Sequence, residues 1–203
     1  LYRQTVALQP EHAAAHYNIA KLLAERQQWK EALPHAEQAI DLEPGNIWFA
    51  LQAALVEEKN GKLEQAAKTL EGAVKKNPGH TDAMVQLSDY YLRLDKYPQA
   101  LALYDTIEVR TGLVETVARQ KKDVYVYLNK PDLAVAELKR LVDFAPDNTR
   151  CAIELADLQA QLGRQTDAIQ TLEAVLAQDP NDGTALFKLA DLYQRTGQPE
   201  KQI

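Results

Sequence analysis

The chain has 203 residues, a formal net charge of −6, and 46% hydrophobic against 26% charged residues, ordinary for a folded protein with a continuous core. No basic stripe or tail offers nucleic acid a counterion-release footprint. The single cysteine, Cys151, rules out an internal disulfide framework, and no uncharged apolar run approaches the roughly 20 residues of a membrane span.

Tyr2 to Leu8 reads as an incoming helix, followed by Pro10. From there one period organises everything: Pro10, Pro44, Pro78, Pro146 and Pro180 fall in a 34-residue series that only Gly112 interrupts. Ala32, Ala66, Ala100, Ala134 and Ala168 keep the same step. So does a second ladder of Ala20, Ala54, Ser88, Lys122, Ala156 and Ala190. Small residues at fixed positions let two helices approach within about 8–10 Å. Repeat units are therefore expected to start at Ala13, Ile47, Thr81, Glu115 and Thr149, with a sixth first helix from Gly183 to about Thr196.

Each unit reads as a pair of amphipathic helices. In the unit starting at Thr149, Ala152, Leu155, Ala156 and Leu158 mark a helix over Cys151 to Leu162. Ala168, Leu172, Val175 and Leu176 mark a second over Ala168 to Ala177, and Asp179-Pro180-Asn181-Asp182 supplies cap residues for the next. The hairpin turns carry Gly61, Asp95, Asn129, Gly163 and Gly197, the residue types that tolerate a left-handed backbone, with Gln27 the exception. Pro34 lies inside a predicted second helix and is expected to bend it or shift its start. The chain opens at Leu1 within a helical pattern and closes at Ile203 within a repeat, as a fragment does.

These residues resemble the tetratricopeptide repeat (TPR) family. Leu189-Ala190-Asp191-Leu192-Tyr193 followed by Gly197, and Tyr97, Ala100 and Tyr104 elsewhere, carry its signature. The resemblance implies an all-α fold, a right-handed α-α superhelix of five full repeats with partial repeats at either end. A single array would run over 1–203, with a partial helix in 1–10. Asn46-Ile47-Trp48-Phe49, Tyr104-Asp105-Thr106-Ile107-Glu108 and Gln120-Lys121-Lys122-Asp123-Val124-Tyr125 look like exported, envelope-associated TPR lipoproteins of Bacteroidetes. That likeness points to a bacterial periplasm or outer membrane, with the cytoplasm as the alternative.

The family geometry implies that first helices line a concave groove for a partner protein. Carried over, it gives Tyr17 and Lys21 from the first unit, and Trp48, Leu51 and Leu55 from the second. The third contributes Val85, Asp89 and Leu92, the fourth Arg119, Asp123 and Val126. Ile153 and Asp157 follow from the fifth, then Phe187, Asp191 and Arg195 from the last helix. Asp89, Asp123, Asp157 and Asp191 form an acidic ladder suited to a basic or amide-rich partner, unless Arg93, Arg119 and Arg195 neutralise it. The family's carboxylate clamp needs Lys, Asn, Asn, Lys and Arg, whereas the equivalent places in the first three units hold Tyr17, Lys21, Gln52, Asp82 and Gln86. Clamp function is therefore not expected.

Chemistry is sparse. Ser88 sits in the small-residue ladder and reads as a packing residue, and Cys151, with no histidine after it, reads as a half-buried inert thiol. His12 and His16 share a helical face, but no third ligand accompanies them, so neither a metal nor another cofactor is expected. Lys121 and Lys122 replace a Leu and a small residue of neighbouring units. Lys122 is expected to find Glu108, with Glu137 a second candidate. The reading is a non-catalytic interaction scaffold. The alternative is a self-associating module, stacking through Leu186, Leu189 and Tyr193 into a homodimer, or an accessory domain of a larger envelope protein.

Overall fold

A computed structural model describes residues 2–197; expectations about Leu1 and the stretch after Gly197 lie outside them. The described residues form helices joined by short turns, with no strand. The chain divides into two compact units, Leu1–Val109 and Arg110–Ile203.

The first unit begins with α1 (Tyr2–Leu8). Two hairpins follow: α2 (Ala13–Glu25) with α3 (Trp29–Leu42), and α4 (Ile47–Lys59) with α5 (Leu63–Lys76). Then come α6 (Thr81–Arg93) and α7 (Tyr97–Thr111), whose last two residues belong to the second unit. The second unit holds α8 (Glu115–Tyr127) with α9 (Pro131–Phe144), α10 (Thr149–Gln161) with α11 (Gln165–Gln178), and α12 (Gly183–Arg195). The five unit starts read from the sequence are the five observed starts, and the sixth first helix opens at Gly183. The second helices open about a turn earlier than expected: α11 begins at Gln165 rather than Ala168.

The turns explain the sharpness of these boundaries. Gln27, Gly61, Asp95, Asn129, Gly163 and Gly197 all have φ between 54° and 78°. Gln27 is thus an exception in residue type only; its backbone adopts the same left-handed state at φ 58°. After it, the Gln28 amide reaches back to the Leu23 carbonyl at 2.9 Å, and the Lys62, Lys96, Lys130 and Arg164 amides do the same to Glu57, Tyr91, Tyr125 and Gln159. That six-to-one bond satisfies carbonyls that a helix end leaves open. Gly112, where the proline series breaks, is also left-handed, with φ 79°. Pro34 does not shift the start of α3, which opens at Trp29 in step with the other second helices. A proline six residues into a helix removes one early amide, and the later turns still close.

The second helices α3, α5, α9 and α11 each pack both on their own first helix and on the next first helix. The alanine ladder at Ala32, Ala66, Ala100, Ala134 and Ala168 is fully buried, as are Ala20, Ala54, Ser88 and Ala156. A leucine forced into any of these positions would cost about 1–3 kcal/mol in overpacking. In the second unit Leu172, Val175, Leu189, Leu192 and Tyr193 form one cluster with Ala168 and Ala156. This corrects one expectation. Leu189 and Tyr193 are 1% and 5% exposed, so they are core and not a free face for stacking a second chain.

Candidate functional site

First helices α2, α4 and α6 bring the first unit's candidate residues together. Trp48, one residue into α4, is 62% exposed and touches the His80 ring edge-on at 5.2 Å. Asn46 holds that helix end, its Oδ1 accepting from the Trp48 and Phe49 amides at 3.2 and 3.4 Å. Tyr17 stacks on Phe49 with centroids 4.9 Å apart, so it is half-buried packing more than open lining. Leu51, Leu55 and Leu92 are half-buried, while Lys21, Val85 and Asp89 are exposed.

Glu58 ties α4 to α6. It accepts from Arg93 Nη1 at 2.7 Å and from the Tyr90 hydroxyl at 3.2 Å. Burial, and then the neighbouring Glu58 carboxylate, push the Tyr90 phenol up to about 12. Arg93 reaches Asp89 only at 3.6 Å, so its principal partner is Glu58.

In the second unit the charges on α8, α10 and α12 are largely used on each other. Arg119 donates to Glu115 at 2.9 Å, to Glu154, and to Cys151 Sγ at 3.3 Å. Arg119, one of the three arginines placed to neutralise an acid of the ladder, instead braces α8 on α10. Cys151 is fully buried beneath it rather than half-buried. Lys122 does find carboxylates, Glu154 at 3.0 Å and Asp123 at 2.6 Å, both within its own unit, where Glu108 had been expected. Glu137 instead takes the neighbouring Lys121 at 2.9 Å, and this pair is almost fully buried. Arg140 closes on Glu137 at 2.5 Å from outside. Lys121 sits at the helix position that Leu87 and Leu155 hold elsewhere, and a buried ammonium persists there because its carboxylate is supplied.

Asp157 is held by Lys188 of α12, which donates to both its oxygens at 2.7 and 3.0 Å. Asp191 meets Arg195 at 3.5 Å. Every rung of the acidic ladder thus has a cation nearby: Asp89 has Arg93, Asp123 has Lys122, Asp157 has Lys188 and Asp191 has Arg195. Ile153 is half-buried against the core, whereas Val126 and Phe187 are exposed. Sequence reasoning missed Glu58, Glu154 and Lys188 as cross-helix partners. Their signal was present: opposite charges 31 to 35 residues apart, one repeat away and within a turn of each other's level.

The remaining polar groups are structural. Ser88 is buried and donates to the Met84 carbonyl at 2.8 Å. His12 and His80 cap α2 and α6, each accepting a backbone amide at Nδ1. His16 faces His35 with 3.0 Å between Nδ1 atoms, and its Nε2 lies 3.0 Å from the Pro10 carbonyl. A carbonyl can only accept, so Nε2 of His16 carries a proton; with His16 as the neutral ring, its Nδ1 accepts from His35 Nδ1. His12 and His16 therefore serve separate contacts, and no group of three or more metal-ligating side chains occurs among the described residues.

Family models described as tetratricopeptide repeat match residues 13–46, 51–111, 126–182 and 163–201. The chain belongs to the tetratricopeptide repeat family. Its TPR hairpins are 26% identical over 117 residues to mouse tetratricopeptide repeat protein 21A, covering 58% of this chain and 9% of that protein. They are 24% identical over 174 residues to cellulose synthase operon protein C of Salmonella typhimurium, covering 83% of this chain and 15% of that protein. The chain thus spans less than a sixth of either relative's length. Among solved structures, the TPR fold here matches Naa15/Naa10 bound to HypK-THB with a TM-score of 0.74 at 13% identity, over 99% of this chain and 32% of that one. A TPR protein from Parabacteroides merdae matches at 0.62 and 17% identity, over 99% and 80% of the two chains. MamA matches at 0.67 and 13%, over 85% and 94%. TPR repeats mediate protein–protein interaction, and the fold is typically a non-catalytic scaffold. No helix of the described residues is long and apolar enough to cross a membrane.

Proposed function

We propose that this chain binds a partner protein segment along its first helices, with residues 1–203 serving as one TPR array, and that it performs no catalysis of its own. The observation that carries the reading is Trp48: a large aromatic on a first helix, 62% exposed, with Val85 exposed on the next first helix in line. Exposed aromatics rimmed by polar groups are the usual anchors of protein interfaces. In the second unit Val126 on α8 and Phe187 on α12 offer comparable contacts. In the first three units the clamp for a terminal carboxylate lacks its cations, because Asp82 and Gln86 stand in their places.

The test is selection of binders from a random peptide display library, followed by affinity measurement on variants. Trp48→Ala and Phe187→Ala should weaken selected peptides by about tenfold or more, as anchor residues do, with unchanged helical circular dichroism. Selected peptides that bind both variants as tightly as the parent chain would place the interaction surface elsewhere.

A further inference from the structure

The position just before each first helix recurs at the 34-residue step: His12, Asn46, His80, Val114, Asn148 and Asp182. Asn46 caps α4 with an amide oxygen, which does not titrate. His12 and His80 fill the same role with Nδ1, accepting the Ala15 amide at 3.1 Å and the Ala83 amide at 3.2 Å. A ring nitrogen accepts only while it is bare, so each of these neutral rings carries its proton on Nε2. The other two histidines face each other. His16 Nδ1 and His35 Nδ1 lie 3.0 Å apart between α2 and α3, and a single proton fits between them. All the histidines of the chain precede Val109, and the second unit has none.

We infer that the first unit carries an acid-sensitive switch: protonation of its histidines removes the caps of α2 and α6 and breaks the His16–His35 contact, loosening this unit and leaving the second without an equivalent response. The proton count gives the sign. As folded, His12 and His80 are neutral, and the facing pair holds at most one extra proton, because a second would set N–H against N–H. Unfolded, every imidazole takes up a proton below a pH of about 6.5. The folded unit therefore binds fewer protons, and stability present above the imidazole range is lost as pH falls through it. The positive end of a helix further opposes an imidazolium at its N-cap. At the caps, Glu11 and Glu43 share an opening with His12. Asp82 follows His80 on α6, Lys75 and Lys76 end α5 before it, and α7 adds Asp105 and Glu108. On the elements around the pair, α1 carries Arg3, α2 Lys21 and Glu25, α3 Lys30, Glu31, Glu37 and Asp41, and α4 Glu57, Glu58 and Lys59. A carboxylate steadies an imidazolium, but it cannot make a protonated Nδ1 accept. Glu57 works against the switch, because burial raises its pKa and its protonation favours folding.

The test uses the whole chain, in a Glu57→Gln background that removes the opposing carboxyl. Urea midpoints are followed by tryptophan emission, which reports the first unit through Trp29 and Trp48. They should fall between about pH 7.5 and about pH 5.5, an interval that brackets the imidazole range. His12→Asn/His80→Asn copies the Asn46 arrangement at both caps. It should lose about two-thirds of the pH dependence, leaving the share of the His16–His35 pair. Long-range nitrogen–proton correlation spectra read the rings directly, and at neutral pH should show a bare Nδ1 at His12 and His80. A midpoint that stays constant over this interval, a double variant with the full pH dependence, or a protonated Nδ1 at either cap in neutral solution would each overturn the switch. Should the double variant not fold, the midpoints and ring protons of the chain with both histidines decide.

Discussion

Glu57 and Gln159 occupy the same place in hairpins three repeats apart, and each accepts the hydroxyl of a threonine on its own second helix. Thr69 donates to Glu57 Oε1 at 3.1 Å and Thr171 to Gln159 Oε1 at 2.9 Å. The amide does this at no electrostatic cost, whereas the carboxylate does not. Glu57 is 2% exposed, its Oε2 is buried without a hydrogen bond, and burial raises its pKa above the ordinary value, offset in part by Thr69. A carboxyl whose folded pKa is raised favours folding when protonated. Its contribution is present below the unfolded value and is lost as pH rises through the folded one. At neutral pH Glu57 is thus a liability, and Glu57→Gln should stabilise the first unit by about 1 kcal/mol. Thermal unfolding across pH checks this, because the gain should shrink as the pH falls towards the carboxylate range. A gain that does not vary with pH would assign it to something other than ionisation. That Glu57 and Gln159 are equivalent is readable from the 34-residue step. That the position is buried, and which threonine it meets, depends on how the second helix lies against it.

At the scale of elements, the turns between paired helices were the most legible feature. Left-handed turn positions recur because a hairpin of two helices must reverse the chain within a few residues, and a positive φ does so with a six-to-one bond. Even Gln27 obeys, so the position and not the residue type is the invariant. Caps are less uniform. Asp182 accepts the Thr184 and Ala185 amides at 2.9 Å each, whereas Asn148, a residue type equally suited to capping, makes no cap bond to α10. Asp182→Ala should therefore cost about 1 kcal/mol in urea denaturation, and Asn148→Ala should stay within about 0.5 kcal/mol. Equal losses would show that the side-chain cap on α12 is not what holds that helix end. The two residues stand one 34-residue step apart, each just before a first helix; only the backbone's approach to the first turn decides whether the oxygen reaches two amides or none.

On the scale of the whole molecule, repeat packing is a chain of nearest-neighbour contacts, so stability is distributed and need not be lost in one step. Trp29 and Trp48 both lie in the first unit, so tryptophan emission follows that unit while far-ultraviolet circular dichroism follows all helices. The two probes should give non-coincident urea transitions, and coincident ones would mean that Leu1–Val109 and Arg110–Ile203 unfold as a single cooperative body. The amino-acid sequence by itself determined the period, the helix pairing, the turn positions and the buried alanine ladder. Each of these is imposed within one hairpin or by identity at a constant step, and close packing tolerates only small residues where helices touch. Tertiary structure alone decided the fate of the charges. Arg119 went to Glu154 and Cys151 instead of Asp123, Lys122 to Glu154, and Lys188 to Asp157, because a long flexible cation pairs with whichever carboxylate the neighbouring first helix brings within about 4 Å. That distance is set by the sideways offset between helices a full repeat apart: the one-repeat spacing marks which opposite charges can meet, and the offset chooses among them.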